Sequence, residues 1–159
     1  SSKIAGFGIM EVNIMQDRFR YRVFDNDDKK MHDVIFLNYE NNSVEWYNDN
    51  NKKRAAFIDE VPIVQCTGLK DKNGKEIYEG DIVKYFCPAE YCSDGLHKCP
   101  ECYSGENGSV HYDEDLAMYE YRSESDQCPL TDNINTEEDL EIIGNIYENP
   151  ELLEIGVLA

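Results

Sequence analysis

Apolar positions in this chain recur mostly with period two, in short runs separated by glycine, asparagine and aspartate, which is the pattern of strands and turns. Residues 18–37 read as a hairpin: Phe19, Tyr21 and Val23 share one strand face, while Arg18, Arg20 and Arg22 share the other. Asp25-Asn26-Asp27-Asp28 supplies the turn. Val34-Ile35-Phe36-Leu37 is continuously apolar, so this run is expected in the core. Val44 and Trp46 form a further short strand, followed by residues 55–58 and 61–66, with Pro62 confining the latter to an edge or a strand start. Asn73-Gly74, between apolar Leu69 and Ile77, predicts a two-residue type I′ hairpin turn, and Glu79-Gly80-Asp81 a second turn. Residues 82–86, 109–112, 116–121 and 141–147 are the remaining strand candidates. Helix is confined to single turns, at residues 136–139 and at Asn149-Pro150-Glu151, where Asn suits the N-cap and Pro the first helical position.

The class expected from this pattern is all-β. The glycine-led strand entry at residues 80–83 and the terminal Ile-Gly-Asn-Ile strand look like a small SH3-like barrel. The expected arrangement is two small, intimately packed β subdomains with short helical turns. Residues 15–65 form the N-terminal one and residues 66–159 the C-terminal barrel, which carries a Cys-rich insert at 87–108. Residues 1–14 read as an extension ahead of the fold, with Met10 and Met15 both suited as start residues.

Three blocks resemble the YopX family, small proteins encoded mainly by phages and prophages. The central one is the run from Gln65 to Val83, containing Thr67-Gly-Leu-Lys-Asp-Lys-Asn-Gly-Lys-Glu-Ile-Tyr-Glu-Gly-Asp-Ile-Val83. The opening one is Arg20-Tyr-Arg-Val-Phe-Asp25 with Lys29-Lys30-Met31, and the closing one Ile142-Ile-Gly-Asn-Ile-Tyr-Glu-Asn-Pro-Glu-Leu-Leu153. They stand in family order and frame residues 18–154. The resemblance implies a fold and a genetic context, and it brings no established reaction with it.

Charge narrows the choice of partner. The chain has 159 residues and a formal charge of −18, from 33 acidic and 15 basic side chains. Such a balance repels a phosphate backbone, so direct nucleic-acid binding is not expected. From residue 113 onward there are 14 acidic residues and a single basic one, Arg122. A solvated surface is the ordinary use of such a run; the functional alternative is an acidic mimic of nucleic acid. No apolar run approaches the ~18 residues of a membrane helix, and the chain is expected to be cytoplasmic.

Candidate chemistry centres on Cys87, Cys92, Cys99 and Cys102, spaced Cys-x4-Cys-x6-Cys-x2-Cys, with His97 beside them. Four thiolates at this density suit a structural zinc ion, while free thiols and a disulfide clip stay open as alternatives. Their segment is rich in glycine and proline and poor in large apolar groups, so order there depends on a cross-link or a metal. The x4 and x6 spacings depart from the usual zinc ribbon, and typical YopX members lack this insert. Cys66 reads as a small core residue, and Cys128 has no activating neighbour in sequence. His32 and His111 read as surface or satisfied histidines, and Asp113-Glu114-Asp115 as a solvated turn. No catalytic set is discernible. The reading is a non-enzymatic protein-binding module, with a protein partner and self-association both open, and the acidic mimic as the alternative.

The cysteine insert gives the first prediction. Freshly purified, reduced protein should contain close to one equivalent of zinc by elemental analysis. Less than about half an equivalent, with thiols free, would remove the metal from consideration.

Overall fold

The computed structural model describes residues 19–85, 107–124, 127–130 and 135–154. It is all-β, with eleven strands among the described residues, in two antiparallel sheets. The first sheet is built from β1 (Tyr21–Asp25), β2 (Lys30–Asn38), β3 (Ser43–Tyr47), β4 (Lys53–Phe57), β5 (Ile63–Lys70) and β6 (Glu76–Tyr78), in the order β4-β3-β2-β1-β5-β6. The second contains β7 (Asp81–Tyr85), β8 (Gly108–Asp113), β9 (Met118–Arg122), β10 (Gln127–Pro129) and β11 (Leu140–Asn145), in the order β10-β9-β8-β7-β11. A one-turn helix, α1 (Thr136–Asp139), precedes β11, and a 3-10 turn spans Pro150–Leu153. The 65/66 boundary expected from the sequence falls inside β5, and the passage from one sheet to the other falls at the Glu79-Gly80 turn. The ladders of the second sheet run from β10 to β11 as an open series among the described residues.

Three apolar clusters follow from strand alternation. Val23, Val44 and Trp46 face one side of the first sheet, covered by Ile58 and Val61 of the β4–β5 connection. Val64, Cys66 and Tyr78 face its other side and meet Met31 and Tyr147. Ile77 of β6 joins Val83, Val110, Tyr121, Leu130 and Leu140 of the second sheet, with Leu69 packed alongside. Leu69 and Ile77, the apolar flanks of the Asn73-Gly74 turn, are thus the part of the first sheet buried in the core of the second. Cys66 is buried, as its place in the sequence suggests. Pro62 stands immediately before β5, and its carbonyl accepts the Phe24 N–H at 3.0 Å.

One local expectation is corrected. The β5–β6 turn is not type I′: Asn73 is not at positive φ, while Gly74 is, at 75°. Asp71 C=O accepts Gly74 N–H at 2.9 Å, and Asp71 N–H donates to Lys75 C=O at 2.8 Å. This is a turn closed by a left-handed glycine, selected because the Asp71 carboxylate reaches over it to accept Asn73 N–H and Lys75 N–H, both at 2.9 Å. At the C-terminal 3-10 turn, Asn149 holds the N-cap position with Pro150 after it, as expected, and makes no side-chain cap hydrogen bond. Its Oδ1 accepts Asn145 N–H at 3.4 Å, and Asn145 Oδ1 accepts the N–H groups of Tyr147 and Glu148 at 3.0 and 2.9 Å in the turn just before.

The two sheets are joined by backbone as well as by side chains. Asp71 Oδ2 accepts Ile142 N–H at 3.0 Å, and Lys72 N–H donates to Leu140 C=O at 2.8 Å, so the β5–β6 turn is hooked along β11. Gly80, at φ 81°, donates to Val110 C=O and accepts from Ile146 N–H, both at 2.8 Å. Phe24 stacks on Tyr147 with centroids 5.5 Å apart.

Asp81, just after that glycine, accepts Tyr78 N–H at 2.8 Å and is buried. Burial pushes its carboxyl up from 3.8 to about 6, opposed by the Tyr78 hydrogen bond and by the Arg22 charge. A folded value above the unfolded one means that this group favours folding most below about pH 4, and that the contribution is lost as pH rises through about 6. Asp81→Asn keeps an acceptor for Tyr78 without the buried charge. In denaturant unfolding, the stability difference between variant and wild type should shift in favour of the variant by up to about 3 kcal/mol between pH 4 and 7. Parallel pH profiles for the two proteins would contradict this.

Candidate functional site

Two polar clusters and one apolar surface are the candidates among the described residues. The first cluster is built by the β1–β2 turn, where Lys29 adopts φ 61° and its N–H donates to Asp25 C=O at 2.9 Å. The turn gathers Asp25, Asp28 and His32, whose potential ligand atoms lie within 4.8 Å of one another. His32 Nε2 is 2.8 Å from Asp28 Oδ2, and its Nδ1 is 3.9 Å from Asp49 Oδ1. Asp25 is only 2% exposed, and both its oxygens are engaged: Oδ1 accepts Asp27 N–H and Oδ2 accepts the Trp46 indole N–H, each at 2.9 Å. Arg54 Nε lies 3.6 Å from Asp25 Oδ2 and its Nη2 pairs with Asp27, while Lys30 pairs with Asp49. A divalent cation would have to displace these donors and would meet carboxylates already balanced by Arg54 and Lys30. The arrangement satisfies a buried indole and closes a hairpin. The sequence shows Asp25 only as a turn former; its pairing with Trp46, 21 residues away, needs the sheet. His32 is satisfied, as expected.

The second cluster lies across β8 and β9. Ser109 Oγ is 2.7 Å from His111 Nε2, and Glu120 stands opposite His111 in the ladder. This has the composition of a nucleophile, a base and an orienting acid. Its connections differ. Glu120 pairs with Arg122 and accepts Gln127 Nε2 at 2.7 Å, so its carboxylate is committed away from the imidazole. Burial, with the Arg122 charge, holds His111 below its ordinary 6.5, while Ser109 is only 5% exposed. The cluster therefore reads as a polar seam between strands.

The remaining sequence candidates fall as follows. Cys87, Cys92, Cys99 and Cys102, with His97, lie outside the described residues. Cys128 is in β10, half-buried against the second core, where the sequence suggests only a polar loop. Asp113 Oδ1 accepts the N–H groups of Asp115 and Leu116, giving the expected acidic turn. Tyr112 and Tyr119 meet edge to face at 5.1 Å, while Tyr121 is buried, so the tyrosines of β8 and β9 do not form one open aromatic face.

The apolar surface is on the first sheet and was hidden by the run Val34-Ile35-Phe36-Leu37. Val34 and Leu37 pack inward as expected. Ile35 and Phe36 are each 50% exposed, contrary to the core placement read from the run. The cause is a bulge: β2 pairs Val34 with Trp46 and then Phe36 with Glu45, so one additional residue is accommodated between consecutive partners. Phe57 stands opposite Ser43 and Ala55 opposite Glu45, placing Phe57, Ala55 and Phe36 on one outward face, with Tyr47 beside Lys53. Phe57 is 54% exposed and Tyr47 46%. These groups share one sheet face, with Ser43 and the Glu45–Lys53 ion pair, 2.6 Å, set between Phe36 and Phe57. No helix among the described residues is long and apolar enough to cross a membrane.

The family model described as YopX protein matches residues 20–154. The crystal structure of protein EF1440 from Enterococcus faecalis is similar at 24% identity, with a TM-score of 0.48, covering 85% of this chain and 97% of that one. No curated protein matches.

The Asp25–Trp46 pair yields a test of the structural reading. Asp25→Ala orphans the buried indole N–H and the Asp27 N–H, and should cost about 2–4 kcal/mol in denaturant unfolding. Trp46 is the sole tryptophan, so its emission should shift to the red in the same variant. A loss under about 0.5 kcal/mol would show that the turn does not depend on this carboxylate.

Proposed function

We propose that this chain, which belongs to the YopX family, is a non-enzymatic protein-binding module of phage or prophage origin that acts through the outward face of β2, β3 and β4. The observation that carries the reading is the bulge in β2, which turns Ile35 and Phe36 outward on the sheet face that also exposes Phe57. Exposing these groups in a monomer costs solvation free energy that a protein partner would recover. The polar clusters support the same direction, since their acids and bases are paired with one another or with backbone.

A second reading, the acidic nucleic-acid mimic, rests on the charge of the second sheet and on the exposed Asp113-Glu114-Asp115 turn. The two differ in salt response. An apolar contact holds at high ionic strength, whereas a mimic's contact with a basic groove weakens steeply.

The test is affinity capture from the host with wild-type protein and with Phe36→Ser, each washed at low and at about 0.5 M salt. A partner retained at high salt by wild type and lost with Phe36→Ser supports the apolar face. A partner lost at high salt and indifferent to Phe36 supports the mimic instead.

A further inference from the structure

Asn-Gly is the chemically labile dipeptide of this chain, and it occurs twice, as Asn73-Gly74 and Asn107-Gly108. Its lability comes from glycine, which has no side chain to keep the backbone nitrogen from approaching the asparagine carboxamide. The fold puts the two copies in opposite settings.

Asn107 is held. Its Nδ2 donates to Leu152 C=O at 2.8 Å, which ties the carboxamide to the C-terminal 3-10 turn. Gly108 opens β8, buried and opposite Val83 of β7. A Cβ at Gly108 would lie 2.0 Å from Tyr121 Cε2, so the ring rests directly on this glycine. Ring closure at Asn107 therefore requires Leu152 to let go and the Gly108 backbone to move beneath a buried tyrosine.

Asn73 is not held. Among the described residues its carboxamide has no hydrogen-bond partner; only its backbone N–H is engaged, by Asp71 Oδ1 at 2.9 Å. Asn73 and Gly74 are both exposed, and nothing lies within 4 Å of a Cβ built at Gly74. In the closed turn the Gly74 N–H faces Asp71 C=O, 2.9 Å away. Freeing that amide breaks a turn hydrogen bond and disturbs no packed side chain, which places it at the low end of local opening free energies.

We infer that Asn73 is a self-modification site, converting through a succinimide to aspartate and isoaspartate in the folded protein, while Asn107 is shielded. The Gly74 nitrogen loses its proton to solvent base and attacks Asn73 Cγ. The N–Cγ bond forms, the Cγ–Nδ2 bond breaks, and ammonia leaves with a proton from water. Water then opens the ring: cleavage at Cγ gives aspartate, and cleavage at the backbone carbonyl gives isoaspartate. One water is consumed and one ammonia released.

The site matters because of what stands beside it. Asp71 Oδ1 accepts from Asn73 and from Lys75, on either side of the reacting bond, while its Oδ2 holds Ile142 of β11. Isoaspartate lengthens the main chain by one carbon between those two N–H groups, so a single carboxylate oxygen no longer meets both. Conversion also adds a negative charge near a buried carboxylate. Deamidation thus loosens, in one direction only, the clamp that joins the first sheet to the second.

The experiment is incubation of the full chain in mildly alkaline buffer, native and in urea, with the amide-to-acid mass gain followed at both dipeptides by peptide mapping. In urea both should convert. In the native protein the rate at Asn73, relative to its own rate in urea, should exceed the same ratio at Asn107 at least tenfold, because slow chemistry tracks the population of the open form. Equal ratios, a larger ratio at Asn107, or native protein in which Asn73 stays intact would overturn the inference. Hydrogen exchange on the separated isoaspartyl form tests the consequence: Ile142 N–H should exchange at least tenfold faster than in unconverted protein, and an unchanged rate would overturn the loosened clamp. Asn73→Gln, an exposed change, should abolish conversion in its peptide and keep the Ile142 rate at that of wild type. A persistent mass gain in that peptide would place the chemistry on another residue and overturn the assignment.

Discussion

The buried carboxylate of Asp71 is the contact on which the relation between the two sheets depends. It is 1% exposed and accepts three backbone N–H groups, from Asn73, Lys75 and Ile142. A carboxylate taken out of water costs several kcal/mol unless its lone pairs are met, and here three backbone donors meet them. Two of those donors shape the β5–β6 turn and the third belongs to β11. Because one side chain fixes both, the turn that closes the first sheet also caps the outer edge of the second. Leu69 and Ile77 on either side of it then have one place to go, the core formed by Val83, Val110, Tyr121, Leu130 and Leu140.

That junction shapes the surface as well as the core. With β11 covered, and with β6 and β10 reduced to three residues, the opportunity for edge pairing concentrates at the far side of the first sheet, on β4. The bulge in β2, two strands in from that edge, turns Ile35 and Phe36 outward. Interior polar groups, meanwhile, are spent on holding strands together: Asp25 on Trp46, Glu120 on Arg122 and Gln127, Asp81 on Tyr78. Among the described residues, the molecule keeps these polar groups inside seams and presents exposed apolar side chains on one face of the first sheet.

Local chemistry in the sequence determined a good deal: period-two runs for most of the strands, Pro62 at a strand start, the turn at residues 71–75 with its apolar flanks, the glycine turn at 79–81, and the family blocks over residues 20–154. Each of these is written in neighbouring residues, where backbone preference and side-chain alternation act directly. Tertiary structure decided the rest. Whether Asn73-Gly74 makes a two-residue turn depended on a carboxylate reaching across it to another sheet. Whether Val34-Ile35-Phe36-Leu37 is core depended on a register slip against β3, since one extra residue on a strand reverses which face its neighbours occupy. The partners of Asp25, Asp71 and Glu120, and the choice of β4 as the open edge, come from strands brought together from distant parts of the chain, and no local pattern encodes that pairing.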